Sequence, residues 1–195
     1  MQKLLLQNLT EQIHSYAKSN LTEARYLHSV RVAEYAAHLA ALHQEENVPP
    51  ELAYFAGLAH DICKECTDEQ LLQAVKDDGL GLDDIEKKRL NLLHGRAAAA
   101  VLKNEFGVTD TSVLNAIAFH TLGYDGIDAL GKIVYAADKI EPARSGTESL
   151  RAFAESSSLD ELLIKIIEKR NDYILQKGDA VHSLTKKMYE RLIHK

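Results

Sequence analysis

Two adjacent side chains, His60 and Asp61, are the first candidates for chemistry because they interrupt a strongly apolar segment. They follow the residues AYFAGLA at positions 53–59 and precede Ile62. An unpaired carboxylate in such surroundings is strongly destabilising, so Asp61 needs a partner of opposite charge. Imidazole and carboxylate groups are both metal ligands, and a bound cation is one partner that would satisfy them.

Similar polar side chains recur inside or at the ends of other apolar segments. His120 follows Ile117-Ala118-Phe119, Asp138 follows residues 133–137 (IVYAA), and His28 shares a helical face with Val32. A single buried histidine is more often satisfied by a carbonyl or a carboxylate than by a metal. A set of such side chains from separate helices is an economical way to surround two cations. The candidate ligands are His28, His60, Asp61, His94, His120 and Asp138.

The elements that must position these ligands are predicted to be helices. Apolar residues recur at spacings of three and four along the chain, and no segment alternates strictly enough for a strand, so the predicted fold class is all-α. Gly79 and Gly81 predict a turn, and Thr67 to Gln70 a capped helix start. Helices are predicted at 21–44, 51–64, 83–91, 95–106, 111–122, 129–140, 148–154, 159–176 and 184–193.

Length and charge limit the classes of protein to consider. The 195 residues fit one domain, residues 1–195, with a metal-binding core at about 21–144 and C-terminal helices at 159–195 packing on it. The net charge is -6 and no stripe of basic residues is present, which argues against a nucleic-acid partner. The N-terminal segment has too few consecutive apolar residues for a signal peptide or a membrane span. We therefore expect a cytoplasmic protein with no membrane partner.

The two cysteines, Cys63 and Cys66, form a Cys-x-x-Cys motif. A structural zinc site normally needs four ligands, and a thioredoxin-like pair should follow a strand in a βαβ unit. Neither context is predicted here. We therefore interpret both residues as reduced thiols packed on a helix.

Several segments together resemble one family. His60-Asp61 with its flanking ligands looks like the HD-domain metal-dependent phosphohydrolase superfamily, from about Arg25 to Arg144, which implies an HD-domain helical bundle. Within it, the chain resembles the YqeK-type bacterial symmetrical diadenosine tetraphosphate hydrolases. The segments that carry this resemblance are RYLHS (25–29), GLAHDICK (57–64), HG (94–95), HTLG (120–123) and YAADKIEP (135–142).

The resemblance implies a pair of metal ions. One would be held by His28, His60, Asp61 and Asp138, and the other by Asp61, His94 and His120, so that Asp61 bridges them. Nitrogen and oxygen donors without thiolates suit a first-row transition metal better than calcium or magnesium. The family makes iron the first choice, with manganese or another divalent ion as an alternative. Two such ions can activate a water molecule for attack on phosphorus.

Cationic side chains beside the metals would stabilise the charge of the reacting phosphate. Lys64, three residues after Asp61, resembles the lysine that follows the His-Asp pair in related enzymes, and we predict that it contacts phosphate. Arg144 is the second candidate. Lys139, Arg25 and Arg96 are further candidates, although a surface charge or an ordinary ion pair is the commoner role of such residues.

The leading hypothesis is an enzyme that cleaves diadenosine tetraphosphate into two ADP molecules. Another HD phosphohydrolase, acting on a guanosine alarmone, a cyclic dinucleotide or a nucleoside phosphate, is the alternative within the enzyme class. The cyclic-dinucleotide group usually carries a Gly-Tyr-Pro segment, and none occurs here. A metal-containing nucleotide sensor is the alternative from another class. The apolar face of residues 159–167 is predicted to cover the core or to form a homodimer contact.

Overall fold

A computed structural model describes residues 3–194, and within that range the chain is built from α-helices without a β-strand. The all-α prediction is therefore confirmed. The helices are α1 (Lys3–Asn20), α2 (Glu23–Leu42), α3 (Pro50–Ala59), α4 (Asp68–Val75), α5 (Asp84–Lys88), α6 (His94–Glu105), α7 (Thr111–Ala118), α8 (Ala129–Ile140), α9 (Glu148–Ala154), α10 (Leu159–Gln176) and α11 (Ser183–Ile193). Short 3-10 turns lie at Gln44–Glu46 and Leu90–Leu93.

Local capping explains where several helices begin. Thr67 accepts from the backbone N–H of Gln70 while the Gln70 side chain accepts from the N–H of Thr67, which is a capping box. Asp83 and Ser158 form the same arrangement at the starts of α5 and α10. These reciprocal bonds satisfy amide groups that have no partner within the helix.

Four helices, α2, α3, α5 and α7, are shorter than predicted, and for α3 and α7 the difference matters for the site. α3 ends at Ala59 instead of residue 64, and α7 ends at Ala118 instead of residue 122. His60 and His120 thus lie in the turns that follow helix ends, where the backbone can direct a side chain differently from a continuing helix.

Helix α8 lies at the centre of the bundle. It packs against α2, α3, α7, α9 and α10, and every residue from Leu130 to Ile140 is buried. The apolar face of α10 packs onto α8, and α11 packs onto α10. The apolar face of α10 is buried within the chain, and a homodimer contact stays a prediction.

Two glycines allow the close helix contacts around α3 and α6. A Cβ atom on Gly57 would lie 2.8 Å from Cα of Ala33 on α2, and one on Gly95 would lie 2.7 Å from the carbonyl oxygen of Ala118. Both distances are shorter than a carbon side chain tolerates. The absence of side chains at these positions therefore brings α3 against α2 and α6 against the end of α7.

The N-terminal helix α1 was not predicted. Leu6, Leu9, Ile13 and Ala17 are buried and recur at spacings of three and four, so the helical signal was present in the sequence. For this segment we predict neither a signal peptide nor a membrane span, and we assign it no helix. No helix among the described residues is long and apolar enough to cross a membrane.

Candidate metal centre

The six predicted ligands meet at one place between α2, α3, α6, α7 and α8, and all six are buried. Nε2 of His28 lies 3.2 Å from Oδ1 of Asp138 and 4.0 Å from Oδ2 of Asp61. Nε2 of His60 lies 3.6 Å from Oδ2 of Asp61 and 3.8 Å from Oδ1 of Asp138. These four side chains form the first half of the centre.

The second half lies on the other side of Asp61. Oδ1 of Asp61 lies 3.0 Å from Nε2 of His94 and 3.4 Å from Nε2 of His120, and the two imidazole nitrogens are 3.1 Å apart. Asp61 therefore directs one carboxylate oxygen to each half. This is the arrangement that a carboxylate needs in order to bridge two cations.

Three of the imidazole rings are oriented by the backbone three residues earlier. Nδ1 of His60 donates to the carbonyl of Gly57, Nδ1 of His94 to Asn91, and Nδ1 of His120 to Ile117. A carbonyl oxygen can only accept, so Nδ1 carries the proton in each ring. Each Nε2 then directs its lone pair towards the centre, as a metal ligand requires.

Three atoms of the centre that could bind a metal ion have no hydrogen-bond partner although they are fully buried. They are Nε2 of His28, Nε2 of His60 and Oδ1 of Asp61. Oδ1 of Asp61 is close to two imidazoles, but lone pairs face it, and its contact with His94 does not have hydrogen-bonding geometry. Buried polar atoms without partners are costly. Cations at this point would satisfy them, so the residues present fit a divalent metal centre.

Two groups of potential ligands lie close enough to share an ion. One group is His28, His60 and Asp138, and the other is His60, Asp61 and His120, with ligand atoms within 4.8 Å of one another in each group. The two groups overlap at His60 instead of Asp61. The separate distances from His94 to Asp61 and His120 add His94 to the second group.

The pKa shifts of three candidate ligands favour neutral imidazoles at His60 and His120 and an ionised carboxylate at Asp138. Burial lowers the pKa of His60 and lowers the pKa of His120 to about 3. Burial alone would raise the pKa of Asp138, but the adjacent Lys139 ammonium and His28 hold that pKa well below its ordinary value. At neutral pH His60 and His120 are therefore neutral and Asp138 is ionised, which are their metal-binding forms.

Comparison with known proteins identifies the family of this centre. The HD domain model matches residues 25–143, which include all six ligands. This chain belongs to the HD domain family. Staphylococcus aureus and Bacillus subtilis proteins named "Bis(5'-nucleosyl)-tetraphosphatase, symmetrical" are similar to it. The first is 35% identical over 90% of both chains, and the second is 30% identical over 94% of this chain and 97% of its own.

A solved HD structure has the same fold. It is described as a predicted HD superfamily hydrolase involved in NAD metabolism from Clostridium acetobutylicum. It is 35% identical to this chain, with a TM-score of 0.86 over 94% of this chain and 96% of its own. The resemblance to the HD superfamily and to symmetrical tetraphosphatases, which the motifs had indicated, is confirmed.

Two of the predicted phosphate contacts lie beside the HD ligands. Nζ of Lys64 is 2.9 Å from Nε2 of His94 and 3.5 Å from Oδ1 of Asp61. Arg144 donates through Nη2 to Oδ1 of Asp138 at 2.8 Å and through Nε to the Asp138 carbonyl at 3.0 Å. Both side chains are partly exposed, so each connects the centre with solvent.

Lys139 is next to the centre but is oriented inward. Its Nζ donates to Oδ2 of Asp138 at 2.6 Å and to the His120 carbonyl at 3.0 Å, and it lies over the Tyr135 ring. Burial lowers the pKa of Lys139 to about 8. With 5% of its side chain exposed, Lys139 is placed to hold Asp138, and its contact with a substrate stays a prediction.

Arg96 and Arg25 are placed differently from each other. All five N–H groups of Arg96 are used by Asp78, Glu86 and two backbone carbonyls, at Leu80 and Gly81. Its guanidinium thus ties the 78–86 segment to α6, and the phosphate contact of Arg96 stays a prediction. Arg25 is exposed and lies one turn before His28 on α2.

Sequence reasoning missed two side chains at the HD centre. Oε1 of Glu141 lies 3.2 Å from Nδ1 of His28, and Oγ1 of Thr121 lies 3.0 Å from Nε2 of His120. Both residues occur in quoted motifs, but nothing in the spacing distinguished them from neighbouring polar residues. Cys63 and Cys66 are free thiols, and burial raises the pKa of Cys63, which agrees with the interpretation as packed, reduced cysteines.

Proposed function

We propose that this chain is a dinuclear-metal hydrolase that cleaves diadenosine tetraphosphate symmetrically into two ADP molecules. The observation that carries the proposal is the carboxylate of Asp61, whose two oxygens face two separate groups of imidazoles. The names of the similar Staphylococcus aureus and Bacillus subtilis proteins supply the substrate class. The assignment of the chain as a metal-dependent HD hydrolase rests instead on the domain match and the ligand geometry.

The proposed first metal position is held by His28, His60, Asp61 and Asp138, and the second by Asp61, His94 and His120. Imidazole and carboxylate ligands suit iron, with manganese as the alternative. When bound, such ions supply a water nucleophile of lowered pKa and neutralise charge on the phosphate.

Lys64 and Arg144 are proposed to bind the polyphosphate next to this centre. Each now contacts a ligand, His94 and Asp138 respectively, and each is partly exposed. A phosphate oxygen offers both groups a stronger charge-assisted hydrogen bond than a neutral imidazole nitrogen or a shared carboxylate does. Arg25 is kept as a third, outer contact.

The reaction requires one P–O bond to break at the centre of the tetraphosphate. The oxygen of water bonds to one of the two inner phosphorus atoms, and the bridging oxygen leaves with the other ADP. Negative charge grows on that leaving oxygen and on the non-bridging oxygens. Lys64 and Arg144 stabilise this charge, while Lys139 holds Asp138 and backbone carbonyls hold three of the imidazole rings.

The products test this proposal directly. Purified protein reconstituted with ferrous iron or manganese is incubated with diadenosine tetraphosphate, and the products are separated by chromatography. ADP as the only nucleotide product supports the proposal, whereas equal ATP and AMP means asymmetric cleavage and contradicts it. In water enriched in ¹⁸O, half of the ADP should carry one labelled oxygen.

A panel of other nucleotides separates the alternatives. Guanosine tetraphosphate, a cyclic dinucleotide and ATP are tested at equal concentration, and faster turnover of any of them would point to another HD phosphohydrolase. Binding of nucleotide without turnover would indicate a sensor. Asp61→Asn is the matched control, because it keeps the shape of the side chain and removes its charge.

A further inference from the structure

His28 differs from the other three histidines of the centre in the partner of its Nδ1 atom. Those three rings donate to backbone carbonyls three residues earlier in the chain. Nδ1 of His28 instead faces Oε1 of Glu141 at 3.2 Å, from a residue 113 positions later. The protonation of His28 therefore depends on a side chain and not on its own backbone.

Glu141 is held in place by three hydrogen-bond donors. Its Oε1 accepts from His28, and its Oε2 accepts from Nε of Arg31 at 3.1 Å and from the backbone N–H of Ala143 at 2.7 Å. Arg31 lies one turn after His28 on α2, and Ala143 directly precedes Arg144. Glu141 is 2% exposed.

We infer that Glu141 is a positioning residue that fixes the tautomer of His28, with the proton on Nδ1 and the lone pair of Nε2 directed at the metal centre. An ionised carboxylate can only accept, so Nδ1 must carry the proton. Nε2 of His28, which is buried without a hydrogen-bond partner, is then free for a metal. The inference rests on the proposed metal site, and it assigns no contact with substrate to Glu141.

The inference predicts an unusual order of effects for two substitutions. In Glu141→Gln the amide oxygen should take the Oε2 position, where two N–H donors converge, and the amide NH₂ should then face His28. Because an amide NH₂ only donates, Nδ1 of His28 must accept and the proton must move to Nε2. A protonated Nε2 cannot bind a metal ion.

Glu141→Ala has a different consequence. It removes the acceptor without adding a donor, so Nδ1 of His28 can still carry the proton, although Oδ1 of Asp138, 3.2 Å from Nε2, favours the other tautomer. Nε2 therefore stays available for part of the population. The isosteric glutamine should therefore impair the first metal position more than the truncation to alanine does. A purely structural role, in which Glu141 only packs and holds Arg31, predicts the reverse order.

The tautomer is measured without metal. Long-range ¹H–¹⁵N correlation spectra of protein with ¹⁵N-labelled histidine are recorded at pH 8, and His28 is assigned by its loss in His28→Asn. Wild type should show a protonated Nδ1, and Glu141→Gln a protonated Nε2. Glu155→Gln is the matched control, since Glu155 makes a similar contact with His38, at 3.1 Å, on the surface.

Metal content provides the second measurement. After reconstitution and dialysis, wild type and Glu155→Gln should hold two metal equivalents by elemental analysis, and Glu141→Gln close to one. The affinity of the first position should fall by about 10- to 100-fold or more in Glu141→Gln, the range found for outer partners of ligands. Glu141→Ala should lie between that variant and wild type.

The outcomes separate the inference from the proposed function. A wild type that binds no metal refutes the metal centre, while the tautomer spectra still test Glu141. A wild type with two metals and a Glu141→Gln variant with Nδ1 still protonated overturns the inference alone, as does weaker metal binding by alanine than by glutamine. If the glutamine variant does not fold, unchanged occupancy and a pure Nδ1 tautomer in Glu141→Ala would overturn it as well.

Discussion

Nζ of Lys64 lies 2.9 Å from Nε2 of His94. Nδ1 of that ring donates to the Asn91 carbonyl, so Nε2 accepts from the lysine through its single lone pair. A metal ion bound to His94 needs the same lone pair. We therefore expect metal binding to release Lys64 from His94 and to leave its ammonium available for a phosphate beside the centre.

Replacement of Lys64 by alanine should separate metal binding from catalysis. The variant should keep two metal equivalents, because Lys64 competes with the metal for His94 and is not a ligand. Its kcat should fall by about 100- to 1,000-fold, the usual effect of removing one group that stabilises transition-state charge. Steady-state kinetics and elemental analysis check this, with the exposed Lys103→Ala as control. An unchanged kcat would remove Lys64 from the mechanism.

Chelation should destabilise the protein. A ligand that binds only the folded state adds stability, about 2.7 kcal/mol when its free concentration is 100 times Kd. Treatment with EDTA should therefore lower Tm, and added manganese should restore it. Asp61→Asn should show little of this response in the same thermal scans. A wild-type Tm that is indifferent to both treatments would argue against a native metal centre.

Replacement of Gly95 by alanine should disturb the second half of the centre. The added Cβ would lie 2.7 Å from the Ala118 carbonyl and 2.8 Å from the Ile117 carbonyl, which accepts from His120. Both contacts are with backbone, so the end of α7 must shift, at a cost of about 1–3 kcal/mol. Urea unfolding and metal titration measure the loss.

Gly81→Ala is the control for that substitution, because a Cβ atom there would contact nothing within 4 Å. Its stability and metal content should match those of wild type. Equal behaviour of the Gly95 and Gly81 variants would mean that α6 does not need its close approach to α7.

Asp83 should make stability depend on pH at the acidic end. Burial alone would raise the pKa of Asp83, but the N–H groups of Glu86 and Ile85 and the nearby His182 lower it overall. A depressed pKa gives stability that is present above the unfolded value, about 3.9, and is lost as the pH falls through the folded value. Asp83 is partly exposed, so solvent screens part of its charge interactions.

The variant Asp83→Asn tests this dependence. Asn also caps a helix, so at pH 7 the variant should lose only the charge contribution of the carboxylate, about 0.3–1 kcal/mol, and the difference should disappear as the pH falls through the lowered pKa of Asp83. Urea unfolding between pH 2.5 and 7 measures it, with exposed Asp77→Asn as control. A difference that stays constant over that range would exclude a role for the ionised carboxylate.

The sequence predicted the helices whose ends carry strong local signals. α8, α9 and α10 have the predicted bounds, and Thr67 forms the expected capping box. It predicted the ends of α3 and α7 less well, because apolar spacing continues through the turns that hold His60 and His120. The ligand types were evident from their burial among apolar residues, but that pattern does not encode the direction of a side chain.

The positions of the basic side chains were also hard to predict from the sequence. Arg96 and Lys139 were predicted to contact substrate, yet acidic side chains far apart or adjacent in the chain hold both inside the protein. Their partners depend on how loops and helices pack. Glu141 was overlooked for the converse reason, since its contact with His28 joins residues that no local pattern connects.

The contrast between the four histidine rings has a consequence for the order of folding. His60, His94 and His120 can be oriented as soon as their own turns form, because each ring needs only a carbonyl three residues away. The ring of His28 can be oriented only after the chain between it and Glu141, 113 positions later, has folded back. Loop closure of that length is slow and entropically costly. We therefore expect the metal position that includes His28 to form later in folding than the other one, when α2 packs against the end of α8.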